Sequence, residues 1–454
     1  MTPHLRFAPS PTGYLHYGNL RTAVLNYLFA RKHGGTFLLR LDDTDRERSS
    51  EAFAGQIRED LRWLGFQWGS EAKQSERTQR YDEAAQQLKA SGRLYACFET
   101  PDELDRRRKR QLASGRPPIY DRAALKLSDE ERAQLAAEGR VPHWRFRLDN
   151  SGTAGGILPE HTNVAWDDLI RGAQTVDLGS LSDPVLIRAD GTYLYTFTSV
   201  VDDIDFGITH VIRGEDHVTN TGVQVDLFRA LGAVPPAFAH HALLTAGGDL
   251  KMSKRSGDMA LMNSRDLEPL AVASYVALIG TSDAIEPLRS MDDLASRLDL
   301  SHVSTSAARF DLAELRALNA RFLHATPYSE IAERLSARGI GGGEAFWDAV
   351  RGNISVFDDV DEWWTVVSGP VQPIVEDADF LAKAATVLPA EPWGEATWGE
   401  WTNAVKAATG AKGRALFHPL RLALTARESG PELKALLPII GREKALARIS
   451  GRTA

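Results

Sequence analysis

The stretch RFAPSPTGYLHYGN, residues 6–19, decides the fold of this chain. The residues on either side of Arg6, within 5–8, are apolar, which is typical of a short buried strand. Two prolines and a glycine then exclude regular structure from residues 9–13. After this loop, apolar residues recur with the spacing of a helix: Leu20, Ala23, Val24, Tyr27 and Leu28. The order strand, loop, helix is therefore predicted at the N-terminus.

A second strand completes the unit. Residues 34–35, both glycine, end the helix, and the run TFLLRL at 36–41 reads as a buried strand followed by DDTD at 42–45. A strand, a helix and a second strand in this order form a βαβ unit, the building block of a parallel nucleotide-binding sheet. Another helix is predicted by Phe53, Ile57, Leu61 and Leu64. Residues 185–187 and 199–201 resume a sheet-like pattern.

The chain has 454 residues, too many for one hydrophobic core. We predict an α/β protein whose Rossmann-type parallel-sheet domain occupies residues 1–94 and 185–245. An α+β domain is inserted at 95–184, where short strands, a charged helix and turns alternate. Residues 246–325 and 326–454 form the later domains, with a helical pattern almost throughout beyond residue 301.

Composition narrows the class of protein. No apolar run reaches the ~18 residues that span a bilayer, and the N-terminus lacks a signal-peptide layout, so we expect no membrane contact and a cytoplasmic location. The single cysteine, Cys97, excludes an internal disulfide and a multi-thiolate zinc site. The net charge of −8 argues against broad nucleic-acid binding but leaves room for local basic surfaces.

The first motif with chemical potential is His16-x-Gly18. A glycine at the start of a helix lets a phosphate approach free backbone N–H groups, and a histidine beside it can donate a hydrogen bond. The alternative is a surface histidine next to a loop glycine, and the short pattern alone does not exclude it.

The second motif is KMSKRSG, residues 251–257, just after a glycine pair at 247–248. Several cations in a glycine-flanked loop suit a clamp on a triphosphate. Taken alone, the motif could also be a solvated basic loop.

Together the two motifs resemble the HIGH and KMSKS signatures of class I aminoacyl-tRNA synthetases. Further stretches spread over nearly the whole chain resemble glutamyl-tRNA synthetases in particular. They are RFAPSPTG (6–13), DTD (43–45), VDD (201–203), RGEDH (213–217), AARFD (307–311), GRALF (413–417) and PLR (419–421).

The resemblance implies ATP-dependent joining of glutamate to tRNA, with His16 and Lys254 in the catalytic roles. The ATP-binding residues implied are His16, Gly18, Asn19, Lys251, Ser253, Lys254 and Arg255. The glutamate-binding residues implied are Arg6, Ala8, Ser10, Asp42, Tyr195, Ser199 and Arg213.

The residue types suit these roles. Arg6 and Arg213 can pair with carboxylates through a rigid two-pronged contact, and Asp42 can hold the ammonium group. An ordinary surface ion pair is the commoner fate of an arginine, but Arg6 lies in an apolar strand, where a charge is costly without a partner.

Three positions depart from the family pattern. Asp42 stands where glutamate is common, so the ammonium contact must shift or use a water. Ser199 stands where asparagine is common, and Asn19 replaces the second histidine of HIGH.

Some relatives bind zinc in the inserted domain through cysteines, but here Cys97 is alone and Glu99 takes the place of a second ligand. We therefore expect no zinc and no other metal-ligating residues. The resemblance implies ATP as a substrate, bound with Mg²⁺.

The resemblance also implies tRNA(Glu) as partner, with tRNA(Gln) left open, and a monomer. The inserted domain would bind the acceptor stem, residues 246–325 would carry the KMSKS loop and contact the stem, and 326–454 would bind the anticodon. The basic run at 106–110 could serve that RNA contact or be a solvated helix face. Tryptophans of the helical part could stack on bases, but core packing is the commoner use.

Three rival interpretations remain from sequence. A glutaminyl-tRNA synthetase shares the catalytic motifs but has β-barrels where this chain is helical. A small-molecule nucleotidyltransferase would not need the long helical C-terminal part. A non-catalytic RNA-binding paralogue should have lost His16 or Lys254, and both are present.

Overall fold

The computed structural model describes residues 2–115, 117–151, 158–245 and 260–454. The chain divides into two compact units, one of Met1–Ser264 with Ala273–Asp311 and one of Arg265–Val272 with Leu312–Ala454. Among the described residues, no helix combines the length and apolar character needed to cross a bilayer.

The first unit holds the described strands. They are β1 His4–Phe7, β2 Thr36–Leu41, β3 Ser70–Lys73, β4 Leu94–Cys97, β5 His143–Phe146, β6 Asn163–Asp168, β7 Gly172–Asp177, β8 Val185–Ile187, β9 His210–Gly214, β10 Ala237–His241, β11 Leu244–Thr245 and β12 Ala308–Arg309. Its helices are α1 Tyr17–Lys32, α2 Glu51–Trp63, α3 Thr78–Ala90, α4 Pro101–Ala113, α5 Asp129–Ala137, α6 Tyr195–Asp205, α7 Val218–Ala230, part of α8 Pro269–Leu278, and α9 Met291–Arg297.

Parallel strands build the centre of this unit. β1 pairs with β2 and β2 with β3, and on the other side β9 pairs with β10, all in parallel. A backbone hydrogen bond of 2.9 Å from Thr209 N to His4 O joins the starts of β9 and β1. β2 therefore lies on one side of β1 and β9 lies on the other, so the strand order reverses at β1. Ligands bind at such a point, beyond the carboxyl ends of the strands.

The predicted βαβ unit is confirmed. β2 has the predicted bounds, and α1 ends at Lys32 just before Gly34, which takes a left-handed φ of 60°. A side chain at Gly35 would place its Cβ 2.3 Å from the backbone oxygen of Pro3, so this position must be glycine.

The strand predicted at residues 199–201 is wrong, because these residues lie in α6. Its buried apolar residues include Phe197, Val200 and Val201, which have the i, i+3, i+4 spacing of one helix face. The pair of β-branched valines favours a strand only locally, and packing of the helix face decides the structure.

Strands of the middle block belong to two sheets. β4, β5 and β8 form an antiparallel sheet. β6 and β7 form an antiparallel hairpin, and β6 pairs in parallel with β10 at Phe238 and Asp168. The hairpin thus brings Asp168 to the central parallel strands, which matters for the site.

The second unit is helical, as predicted beyond residue 301. Its helices are α10 Leu312–His324, α11 Tyr328–Ala337, α12 Gly343–Val350, α13 Asp359–Ser368, α14 Ala378–Thr386, α15 Thr397–Thr409, α16 Arg414–Thr425, α17 Leu433–Ile440 and α18 Arg442–Ile449. Trp347 and Trp401 are fully buried in one core, and Trp364, Trp393 and Trp398 pack against it. These tryptophans therefore contribute to the packing of the core, the commoner use expected from sequence.

Candidate active site

A cavity of about 390 Å³ lies at the carboxyl ends of β1, β2 and β9. It brings together most of the residues predicted from sequence: Arg6, Ala8, Ser10, His16, Gly18, Asn19, Asp42, Tyr195 and Arg213. Ser199 is not among the lining residues. The remaining predicted residues, Lys251, Ser253, Lys254 and Arg255, lie outside the described part of the chain.

His16 caps the N-terminus of α1. Its Nδ1 accepts a hydrogen bond of 3.3 Å from the backbone N–H of Asn19. An imidazole that accepts at Nδ1 carries its proton on Nε2, where it can be donated to an anion. A Cβ at Gly18 would lie 3.1 Å from two atoms of this imidazole, so glycine at 18 also keeps His16 in place.

Two buried arginines meet at the cavity from separate strands. Arg6 in β1 donates from Nε to Asp203 at 3.1 Å, and Arg213 in β9 donates from Nη1 to the hydroxyl of Tyr195 at 3.0 Å. Burial lowers the pKa of Arg213, and the nearby charge of Arg6 lowers it further. Burial and the charge of Arg213 lower the pKa of His217 to about 4. Both shifts reflect the cost of positive charge in a buried place, which an anionic ligand would offset.

A third arginine that lines the cavity, Arg40 in β2, joins the acidic residues. It donates to both carboxylate oxygens of Asp42, at 2.7 and 3.2 Å, and to Asp203 at 2.7 Å. Burial alone would lower the pKa of Arg40, but Asp42 and Asp203 raise it well above its ordinary value. Burial raises the pKa of Asp42 to about 6 against the opposing effect of Arg40. Each oxygen of Asp42 keeps a second lone pair for a ligand.

Ser199 supports this network from α6. Its hydroxyl accepts from Arg40 Nη2 at 3.3 Å, and the residue is 1% exposed. In the structure it therefore contacts the arginine that holds Asp42, one layer away from the cavity surface.

The sequence that builds this site matches a known protein family. Residues 3–317 match the catalytic domain of the class I tRNA synthetases for E and Q, and residues 373–452 match an anticodon-binding domain. Full-length relatives decide between the two amino acids. The chain is 58% identical to glutamate–tRNA ligase 2 of Methylorubrum populi, covering 100% of this chain and 99% of the relative. The chain belongs to the glutamyl-tRNA synthetase family.

Other members give the same result. A glutamate–tRNA ligase of Parvibaculum lavamentivorans is 56% identical, with 99% of each chain covered. The crystal structure of a glutamate tRNA ligase from Elizabethkingia meningosepticum, solved with its amino acid, superposes with a TM-score of 0.84 at 27% identity, covering 99% of this synthetase and 98% of that chain. The helical C-terminal unit and these matches rule against the glutaminyl-type interpretation with β-barrels.

One group of donors in the synthetase could hold a metal. Ligand atoms of Cys97, Glu99 and His143 lie within 4.8 Å of one another. Glu99 accepts a hydrogen bond of 2.6 Å from Tyr120, while its Oε2 and the Nε2 of His143 are buried without a hydrogen-bond partner among the described residues. Burial raises the pKa of Cys97 to about 12, so the thiol is protonated in the absence of a metal. Counting cysteines did not foresee this grouping, and the absence of zinc stays a prediction.

Sequence reasoning also missed Arg40 and Asp203. A signal existed for Arg40, which interrupts the apolar run of β2 as Arg6 interrupts that of β1. For Asp203, the VDD motif marked the position but gave it no role.

Proposed function

We propose that this synthetase joins L-glutamate to the 3′ end of tRNA(Glu) in two steps, through a glutamyl-adenylate. The observation that carries the amino-acid choice is the convergence of two buried arginines, Arg6 and Arg213, on one cavity. A dicarboxylate with one ammonium group matches two guanidinium groups and the carboxylate of Asp42 in number and sign.

In the first step, a glutamate carboxylate oxygen attacks the α-phosphorus of ATP. The bond to the β-phosphate breaks and pyrophosphate leaves. In the second step, the 2′-hydroxyl of the terminal tRNA adenosine attacks the carbonyl carbon of the adenylate, and AMP leaves. No enzyme nucleophile is required, so catalysis rests on positioning and on stabilising charge at the phosphates.

ATP would lie over the N-terminus of α1, where the Nε2–H of His16 and the positive end of the helix dipole favour an anion. Gly18 and Asn19 line the same side of the cavity. We propose that Lys254 stabilises the negative charge of the departing pyrophosphate. Lys251, Ser253 and Arg255 of the same motif would assist in binding ATP. Mg²⁺ is proposed to accompany ATP.

Glutamate would occupy the part of the cavity between β1 and β9. Arg6 and Arg213 hold the carboxylates, and Tyr195 forms a wall with its hydroxyl fixed by Arg213. Ala8 and Ser10 follow β1 at the rim.

The tRNA would bind through separate parts of the chain. Arg106, Arg107, Lys109, Arg110 and Arg140 line a pocket of about 720 Å³ between α4 and its neighbours. No residue of α4 is buried, so this basic face is open to a phosphate backbone. We assign the acceptor stem to residues 95–184, further stem contacts to 246–325 and the anticodon to 326–454. The proposed enzyme is a cytoplasmic monomer that charges tRNA(Glu).

Pyrophosphate exchange, measured with and without tRNA, tests this proposal. Label should pass from pyrophosphate into ATP only with glutamate present. A nucleotidyltransferase would exchange label with another substrate, and a non-catalytic RNA-binding protein would show none. Mischarging of tRNA(Gln) with glutamate, measured beside tRNA(Glu), decides whether the enzyme accepts the second tRNA.

A further inference from the structure

Arg213 is held by a buried chain of hydrogen bonds whose other members do not line the cavity. Its Nε donates to Nε2 of His240 at 3.3 Å, and its Nη2 donates to the hydroxyl of Thr221 at 2.5 Å. The same hydroxyl lies 2.9 Å from His240 Nε2. His240 and Thr221 are both fully buried.

This geometry fixes where the proton of His240 lies. An arginine can only donate hydrogen bonds, so Nε2 of His240 must be an acceptor, and the proton of a neutral imidazole must be on Nδ1. Nδ1 lies 2.5 Å from Oδ2 of Asp168, which can accept that proton's hydrogen bond.

Asp168 is itself fixed as an anion by backbone donors. Its Oδ1 accepts from the backbone N–H groups of Ile170, Arg171 and His240 at 3.0 to 3.1 Å. Burial alone would raise the pKa of Asp168, but the hydrogen bonds from His240 and the backbone lower it to about 2. Burial lowers the pKa of His240, consistent with a neutral ring.

We propose that Asp168 and His240 are positioning residues that set the orientation of Arg213, and thereby the affinity for glutamate. Asp168 selects the Nδ1–H form of His240, and the free Nε2 lone pair holds the Nε–H of Arg213. With Nε and Nη2 engaged inside the protein, the guanidinium plane is fixed before the ligand arrives. The inference rests on the proposed role of Arg213 in binding a glutamate carboxylate.

The hairpin β6–β7 acquires a role through this chain. Asp168 ends β6, and its pairing partner Phe238 lies two residues before His240 in β10. The hairpin thus reaches the amino-acid pocket without touching the cavity, because neither Asp168 nor His240 lines it.

The first test measures the tautomer in the unmodified protein. Long-range ¹H–¹⁵N NMR correlations of ¹⁵N-histidine-labelled chain, assigned with His240→Gln, should show His240 protonated at Nδ1 and unprotonated at Nε2 at neutral pH. A ring protonated at Nε2, or at both nitrogens, would overturn the proposal, and this test does not depend on any substitution being active.

The second test compares two substitutions that each keep one half of the imidazole. The amide of His240→Gln can place an acceptor oxygen near Nε2, whereas His240→Asn can keep the donor toward Asp168 but leaves Arg213 without its acceptor. KM for glutamate should rise about tenfold or more in His240→Asn, as for a lost hydrogen bond to a charged group, and much less in His240→Gln. KM for ATP should stay the same in both.

Arg213→Gln, measured in parallel, distinguishes failure of the positioning role from failure of the proposed glutamate pocket. Suppose that it raises KM for glutamate. The positioning role is then wrong if His240→Asn and His240→Gln behave alike, or if they change the KM values for glutamate and ATP equally, while the proposed pocket is retained. If Arg213→Gln leaves KM for glutamate unchanged, the proposed pocket fails and the inference fails with it.

Discussion

The Nε–H of Arg6 donates a hydrogen bond of 3.1 Å to Oδ1 of Asp203, and both side chains are about 95% buried, at 5% and 6% exposure. Arg40 donates to the same oxygen at 2.7 Å. Asp203 therefore anchors Arg6 and ties it to Arg40, the arginine that holds Asp42. A cation fixed in this way can discriminate between ligands by charge.

Arg6→Gln should remove much of the preference for glutamate over glutamine. The two amino acids have nearly the same shape, so charge must separate them. Asp203 accepts from the Nε–H of Arg6, so a neutral amide would leave the N–H groups that face the ligand without an anionic partner, at a cost of up to ~3 to 5 kcal/mol. That corresponds to a discrimination of ~10² to 10³·⁵ in the unmodified enzyme. The ratio of kcat/KM for the two amino acids measures it.

A matched control is Arg80→Gln, which removes a partly exposed arginine of α3 that pairs with Asp205 at the end of α6. It should leave the ratio unchanged. If Arg6→Gln lowers activity on both amino acids equally, Arg6 positions the shared α-carboxylate or the fold. Discrimination would then have to come from Arg213 or from another group.

Acidification should weaken the use of glutamate through Asp42. Burial raises the pKa of Asp42 to about 6, so the carboxylate that would hold the ammonium group becomes neutral below that pH. Since kcat/KM reports the free enzyme, kcat/KM for glutamate should fall about tenfold per pH unit below the break. Asp42→Asn should give a low, flat profile over this range, and an unchanged break in that variant would assign the titration to another group.

Protonation of Asp42 should have the opposite effect on folding stability, which it should increase. A pKa raised in the folded state means that Asp42 contributes stability below its unfolded pKa of about 3.9 and loses it as pH rises through about 6. The loss of activity in acid should therefore occur without unfolding caused by this group. Circular dichroism over the same pH range checks this.

Lys254→Ala should slow adenylate formation much more than it weakens glutamate binding. The charge of the motif at 251–257 is needed most as pyrophosphate departs, and loss of one preorganised charge contact costs ~10² to 10³ in rate. Single-turnover formation of adenylate, compared with the equilibrium affinity for glutamate, measures the two effects. Equal losses in both would argue against this role.

The purified protein should contain no stoichiometric zinc. Cys97 is the single cysteine, and its thiol is kept protonated by burial beside Glu99 and His143. Chelators should therefore act only by removing Mg²⁺ and should leave the midpoint of thermal unfolding unchanged. One tightly held zinc per chain in elemental analysis, lost in Cys97→Ser, would show that the three donors do form a metal centre.

Sequence predicted the parts of the site that follow contiguous motifs. Arg6, His16 and Gly18 lie within one stretch whose strand, loop and helix are set by local residues, so their place at the end of β1 could be read directly. Arg213 could be placed only by resemblance. Its partners Asp168 and His240 could not be found, because their contact depends on pairing between β6 and β10 across the chain.

The contacts of Ser199 could not be read from the resemblance, because they depend on packing. Ser199 was expected at the glutamate pocket, and the structure puts it against Arg40. In the same segment, local β propensity suggested a strand where burial of one face makes α6. In α6, tertiary packing thus overrides a local pattern.

The most direct test of the central claim is attachment of labelled amino acid to tRNA. With ATP, Mg²⁺ and a tRNA(Glu) transcript, the purified protein should convert L-glutamate into an alkali-labile tRNA ester and should leave L-glutamine unattached. The label should be lost when the 2′-hydroxyl of the terminal adenosine is replaced by hydrogen. Failure to charge tRNA(Glu), or charging with glutamine as fast as with glutamate, would contradict the account.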